Sequence, residues 1–436
     1  MECLIHSFTA ITKRKGIYFY ISLLISMPRL LVTMMKYKKL AEFLSFAFWE
    51  ILHALHFFKP GDYVTFKNPL PITKISDHEL VDLSRKSQLL VHFHQNQVSA
   101  TELALKWLDV FVDKNEILWG YIASEPNVLY RSKDKGSRAK KLFSFSSRLT
   151  SIHVDNRNSI FVCCGGTIFK SKDYGVSFYP VLQFSSPNSL FLSGCGFAED
   201  DLGRLFVAEY YTDSLTLPGA WLYWSEDYGD NWHRTDFLIR QGASQHAHVV
   251  KYFRKARKLC LSDGDNKKRL WINDTMTNFS SSSSKKDPSG WRLINKSHIQ
   301  MGGYLSAEDL GDQMIFGTDY LGGTNFFVKT RNGTEFQRFL IPDPYRRNPV
   351  LKIILTKSTS GREVWACLRN WIRSRHSKGA ILLSSDNGET WSKFIEYDGI
   401  KSDIDIISSS CSVLGYLFIM ISRRGEYDGS VFRIDR

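Results

Sequence analysis

No cysteine pair in this chain has the spacing of a metal knuckle or a redox couple. Cys-x-x-Cys is absent, and the seven cysteines are an odd number. Cys163, Cys164, Cys260 and Cys367 stand inside apolar runs, where a thiol packs as a small hydrophobe. The pattern argues against a disulfide framework and against a structural zinc. There is no Walker loop, no Gly-x-Ser-x-Gly elbow and no His-Glu-x-x-His helix, so these signatures of nucleotide, ester and zinc-peptidase chemistry are missing. No uninterrupted apolar run reaches the roughly 20 residues of a membrane span. The run Ile17–Met27 is cut by Pro28 and Arg29, and no small-residue cleavage site of a signal peptide follows it. The expected location is therefore cytoplasmic or membrane-associated.

What is present is ordinary globular composition, with 43% hydrophobic and 23% charged residues. Aromatics reach 14% beside 29 glycines, which favours many short strands joined by turns. The formal charge of +13 permits anionic glycans, nucleic acid or anionic lipid as partners without choosing among them. The basic stretches at residues 131–141 and 251–258 fall at hairpin turns and lack interleaved aromatics, so nucleic acid is not expected.

Composition divides the chain at residues 60 and 115. Residues 1–60 hold eight Lys/Arg against three Glu and a broad apolar stretch, Leu40–Phe58, stopped by Pro60-Gly61. This reads as a separable, α-rich extension whose helix offers peripheral membrane contact. Residues 61–115 read as helical, with capping-box spacing at Ser76–Glu79 and Ser99–Glu102 and an interposed strand, Leu89–His94.

From residue 116 to 436 one phrase recurs. Its copies are Ser171-x-Asp173-x-Gly175, Ser225-x-Asp227-x-Gly229 followed by Trp232, and Ser384-x-Asp386-x-Gly388-x-Thr390-Trp391. Weaker copies begin at Ser132 and Thr330. Asp accepts hydrogen bonds from turn amides, Gly permits positive φ, and the closing aromatic starts the next strand. Repeats of this kind imply stacked supersecondary units. Third-strand equivalents near residues 128–132, 167–171, 221–225, 268–273, 325–330, 379–384 and 430–435 favour seven units, with six as the alternative. The last lacks a fourth strand, which Leu89–His94 or Tyr63–Phe66 would supply.

The phrases resemble the Asp-box, or bacterial neuraminidase, repeat. That resemblance covers about residues 115–436 and implies an all-β propeller of the sialidase-like superfamily. In such blades the box joins the third and fourth strands, opposite the face where ligands bind. First-strand starts and second-strand ends then meet at one channel mouth. They bring together Glu209, Asp263 and His246 as candidate proton-transfer groups. His248, Asp319, Tyr320, Arg369, Trp371 and Tyr210 are candidate ligand contacts, with Arg369 the anchor for a carboxylate or sulfate. No cofactor is expected, although His246 and His248 beside Asp263 are also compatible with a divalent cation. The chain has no Arg-Ile-Pro tripeptide, so classical sialidase activity is not implied. Two readings stay open for an expected monomer. One is a carbohydrate-active enzyme, a glycoside hydrolase or polysaccharide lyase. The other is a non-catalytic module binding glycan or protein.

Overall fold

The computed structural model describes residues 40–67, 73–76 and 99–436, together with isolated positions between 25 and 35. Residues 212–218, 244, 265–267, 278, 280–289, 295–302, 321–322, 372–374 and 427–428 fall outside this description. Leu89–His94 and most of the serine-rich loop at 275–290 therefore lie outside it as well.

Seven four-stranded antiparallel units follow one another along the chain. Blade 1 runs from Trp107–Val112 through Leu118–Ile122 and Glu125–Ser132 to Lys140–Ser144. Blades 2 to 6 open with Leu149–Val154, Phe197–Glu199, Ala247–Phe253, Tyr304–Asp309 and Val350–Ser358. Blade 7 opens with Ser402–Ile406. One hydrophobic cluster fills each gap between neighbouring blades, and that between blades 7 and 1 closes the ring. The chain is a seven-bladed β-propeller. Each sheet is covered on both faces, which is why strands such as Ile160–Cys164 are apolar throughout rather than alternating.

Among residues 61–115, the helix expected after Ser76–Glu79 lies outside the described residues, and the one expected at Ser99–Glu102 is not formed. Ser99–Leu103 is a strand, not a helix N-terminus, and Trp107–Val112 is the innermost strand of blade 1. Ser99–Leu103 pairs antiparallel with Ser430–Asp435 and is the fourth strand of blade 7. The unpaired edge of the last blade outweighed a local capping pattern. Tyr63–Phe66 does not close the ring either. Thr65–Phe66 and then Thr73–Ile75 run parallel to Thr390–Tyr397 and cover the outer edge of blade 6.

The described part of the N-terminal region packs on the propeller. A helix, Leu40–Ala54, lies against blades 5 and 6. Its Glu50 is buried between Arg346 and Arg347, at 2.5 and 2.6 Å, on the connection between those blades. Trp49 stacks on Phe58 and reaches Phe326, and the Val64 amide bonds the Leu340 carbonyl.

The recurrent turns share one hydrogen-bond scheme. In the Ser384 copy, Ser384 Oγ donates to Asp386 Oδ1 and accepts from the Gly388 amide, while Asp386 accepts from the Thr390 amide and hydroxyl. The Ser132, Ser171 and Ser225 copies repeat it. The turns also latch onto the preceding blade. Buried Lys170 of blade 2 donates to the Tyr228 carbonyl at 2.7 Å, and Gln313 of blade 5 donates to the Asn387 carbonyl at 2.6 Å. Trp391 stacks on Phe327 across the same gap, with ring centroids 4.6 Å apart.

Replacing Asp386 by Ala removes both acceptor oxygens of its turn and should lower unfolding free energy by about 1–3 kcal/mol in urea titrations. Glu50 carries a second prediction. Burial alone would raise its carboxyl, but the two guanidiniums overcome this and hold it at about 2, against an ordinary 4.5. A depressed carboxyl stabilises the fold above its unfolded value and loses that contribution as pH falls through the folded one. Helix docking should therefore weaken between about pH 4.5 and pH 2. Glu50→Gln, which takes away the buried carboxylate shared by Arg346 and Arg347 and leaves Arg346 only the exposed Asp343 as counter-charge, should cost about 3–5 kcal/mol at neutral pH. Amide exchange across residues 44–54 at stepped pH reads both effects.

Candidate functional site

The expected mouth residues are gathered at one end of the ring, but in two separate groups. Blades 3 and 4 bring Glu209, Tyr210, His246, His248 and Asp263 together. Ala247 pairs with Asp263, and its amide bonds the Glu209 carbonyl. Arg369 and Trp371 stand with blades 6 and 7, and Asp319 and Tyr320 lie between, on blade 5.

The chemistry of these groups differs from the expectation. Glu209 is fully buried and accepts hydrogen bonds from the Ser185 amide and hydroxyl, the Ser189 hydroxyl and the Tyr223 phenol. Asp263 is also fully buried, and Arg269 grips it through its amide and its guanidinium, each at 2.6 Å. Burial pushes the Asp263 carboxyl upward against that pairing. Both carboxylates are thus enclosed by donors from the surrounding fold. Arg369 is not a vacant anion anchor, because Asp403 and Asp405 already hold its guanidinium. Trp371 is 41% exposed beneath that pair. Tyr320 packs on Phe326, with Lys268 over its ring.

His246 and His248 do converge. Their Nε2 atoms are 3.0 Å apart, and each Nδ1 lies on a backbone carbonyl, Tyr211 for His246 and Tyr304 for His248. The Tyr210 ring lies tilted against His246, with centroids 4.1 Å apart. Carbonyls only accept, so both Nδ1 atoms carry hydrogens. The Nε2 contact is then a hydrogen bond only when one ring holds protons on both nitrogens. Among the described residues, no group of three or more His, Cys, Asp or Glu is placed to hold a metal ion.

The central channel holds a feature the sequence reading missed. The connection entering blade 3 turns inward at Leu192–Gly196 and plugs the channel. Lys352 Nζ donates to the Ser193 carbonyl and Ser409 Oγ, both at 2.7 Å, and Lys251 Nζ donates to the Gly194 carbonyl at 3.0 Å. Ser193 Oγ donates to Asp109 at 2.5 Å, and Glu308 accepts from Lys251 at 3.1 Å. Burial pushes the Asp109 and Glu308 carboxyls up and the Lys352 ammonium down, against the opposite charges around them. A signal for this cluster existed. Asp109, Lys251 and Lys352 are each a lone charge within an otherwise apolar stretch of an innermost strand (LDVF, VVKYF, LKIIL), and Glu308 stands in the more polar YLSAED.

Beyond the plug the channel opens as a cavity of about 160 Å³. Its opening is on the face of the recurrent turns, opposite the expected mouth. Phe111, Phe197 and Tyr252 form apolar walls, and Asn156, Ser409, Ser412 and Arg254 supply polar groups. Three carboxylates line it, and all are engaged. Glu199 accepts from the Asn156 amide at 2.8 Å, Glu308 from Lys251, and Asp309 from the Arg254 and Gly311 amides.

With this geometry in place, the chain can be set beside known proteins. No protein-family model matches it. A streptogramin B lyase superimposes with a TM-score of 0.51 at 13% identity, covering 78% of this chain and 97% of the lyase. Virginiamycin B lyase from Staphylococcus aureus gives 0.51 at 12%, covering 78% and 99%. A chain of the mitotic checkpoint complex gives 0.50 at 8%, covering 78% and 93%. At these identities the likeness is one of fold alone. In sequence, 69 residues are 35% identical to small ribosomal subunit protein uS8 of Borreliella burgdorferi. That stretch is 16% of this chain, and it spans about half (51%) of the ribosomal protein.

The plug yields a direct test. Gly194 has φ +89, and a Cβ there would lie 2.8 Å from Ser409 Oγ and 3.2 Å from Lys352 Nζ. Gly194→Ala should lower stability by about 1–3 kcal/mol through the left-handed backbone and the displaced lysine. Thermal melts with and without the substitution measure it.

Proposed function

We propose that this chain is a non-catalytic propeller of the Asp-box, sialidase-like type that binds a small polar ligand in its channel opening. The ligand is an anionic sugar ring. The observation that carries this reading is the commitment of every carboxylate lining the opening to a donor: Glu199, Glu308 and Asp309. A glycosidase needs one carboxylic acid aimed at the scissile oxygen and a second carboxylate across the ring. Here each lining carboxylate already accepts from a backbone amide or a lysine.

The remaining groups suit recognition. Aromatic walls at Phe111, Phe197 and Tyr252 match the apolar face of a sugar ring, and the Ser409, Ser412 and Asn156 side chains match its hydroxyls. Arg254 stands at the rim with its side chain 57% exposed, 3.9 Å from Asp309, and supplies a fork for a carboxylate or sulfate. A cavity of about 160 Å³ accommodates one ring rather than an extended chain.

Ligand-observed NMR against uronic, sialylated, sulfated and neutral sugars tests the proposal. Arg254→Ala should weaken the anionic hits about tenfold or more and leave the melting temperature unchanged. Arg254→Lys should fall between the two. Released product from any hit, or unchanged affinity in Arg254→Ala, would refute it.

A further inference from the structure

The helix Leu40–Ala54 has two faces of different fate. Trp49, Glu50 and Ala47 are buried against blades 5 and 6. Leu44 and Phe48 point the other way, 48% and 44% exposed, and Leu55 and Phe57 continue the apolar surface, each 67% exposed. Residues 44, 48 and 55 share one helical stripe. A surface helix ordinarily buries its apolar stripe, so a helix clamped by a buried ion pair with a second apolar stripe outward is unusual. The concentration is specific to this end of the chain. Of twelve exposed large hydrophobics among the described residues, seven fall between Ile25 and Phe57.

Topology sets the orientation. The helix rests on the connection between blades 5 and 6 and beside the second-to-third-strand loop of blade 5, where Phe46 meets Gly323. Both segments lie on the face opposite the channel opening. The adjoining blade 6 loop lies on the same face. Its Lys378 amide bonds the Pro344 carbonyl, and Ser377 bonds Asn348. That loop presents exposed Trp371 with exposed Arg375 and His376. Residues 1–60 carry eight Lys/Arg against three Glu, and Asp62 and Asp343 are exposed acids near the stripe. Among the described residues, no helix is long and apolar enough to cross a bilayer.

We propose that this face seats on the surface of an anionic lipid bilayer. Phe48, Leu55 and Phe57 enter the interfacial zone, Trp371 anchors beside them, and the basic residues meet the lipid phosphates. An outward apolar stripe, an exposed tryptophan on the same face and a basic sequence leading into the helix are the combination that interfacial helices use. The channel opening then faces away from the membrane, so the bound state leaves the ligand cavity accessible.

Flotation of the full chain with vesicles of phosphatidylcholine and phosphatidylglycerol, against phosphatidylcholine alone, tests this. Wild type should float with the anionic vesicles, and added salt should weaken the association. Phe48→Asp with Leu55→Asp should reduce partitioning about tenfold or more without altering sugar binding. Val176→Asp, at a 75% exposed valine on the opposite face, should leave partitioning unchanged. If circular dichroism shows the aspartate pair misfolded, Phe48→Ser with Leu55→Ser should show the same loss at smaller amplitude. Three outcomes would overturn the proposal. One is no flotation of wild type, and another is equal flotation of the helix variants. The third is a solution dimer by sedimentation velocity that Phe48→Asp dissolves, which would assign the stripe to a second copy of this chain.

Discussion

The antiparallel pairing of Ser99–Leu103 with Ser430–Asp435 is the constraint on which the rest of the structure depends. A ring of sheets buries its inter-blade cores only when every gap is closed. Blade 7 takes its outermost strand from the start of the propeller and its other three from the end. Without that strand, the backbone groups of Ser430–Asp435 would stand open at an edge, and the cluster joining Leu103, Trp107, Tyr416 and Phe418 would lose a wall. The closure is reinforced elsewhere. Ser408–Ser410 runs parallel to Val110–Val112, tying blade 7 to blade 1 on the inside.

Charged and polar side chains are used within this ring as fasteners. Lys170 and Gln313 reach from one blade to turn carbonyls of the next. Lys251 and Lys352 hold the plug in the channel, and Glu50 ties the N-terminal helix to two arginines. These lysines find carboxylates or hydrogen-bond acceptors, and Glu50 finds guanidinium donors, as a low-dielectric interior demands. The same economy governs the upper mouth. Glu209 and Asp263 are held by donors from their own neighbours, and Arg369 by Asp403 and Asp405.

The two faces of the propeller thus divide their roles. The recurrent turns and the channel opening occupy one. The N-terminal helix, the blade 5–6 connection and exposed Trp371 occupy the other. The Leu192–Gly196 plug separates them, so a ligand entering from the turn face reaches Lys352 and Ser409 but not His246 and His248.

The repeat phrase by itself determined the architecture. Ser, Asp and Gly at fixed offsets can satisfy a turn's amides in only a few ways, and an apolar strand before each copy marks a blade. The third strands predicted at 167–171 and 379–384 therefore fall where the structure has them, and that at 430–435, which no copy follows, is placed by its apolar run alone. Local hydrogen bonding is legible in sequence because all its partners lie within five residues. Closure was not legible. Ser99–Glu102 carries a helix-start pattern, and only the vacant edge of a blade more than 300 residues away makes it a strand. The site was half legible: register brought His246 beside Asp263 as expected, but whether a carboxylate is free or caged depends on residues remote in sequence. Arg369 met Asp403, and Glu209 met Ser185 and Tyr223, through tertiary contacts. Side-chain type states what a residue can do, and the partners that folding places around it decide what it does.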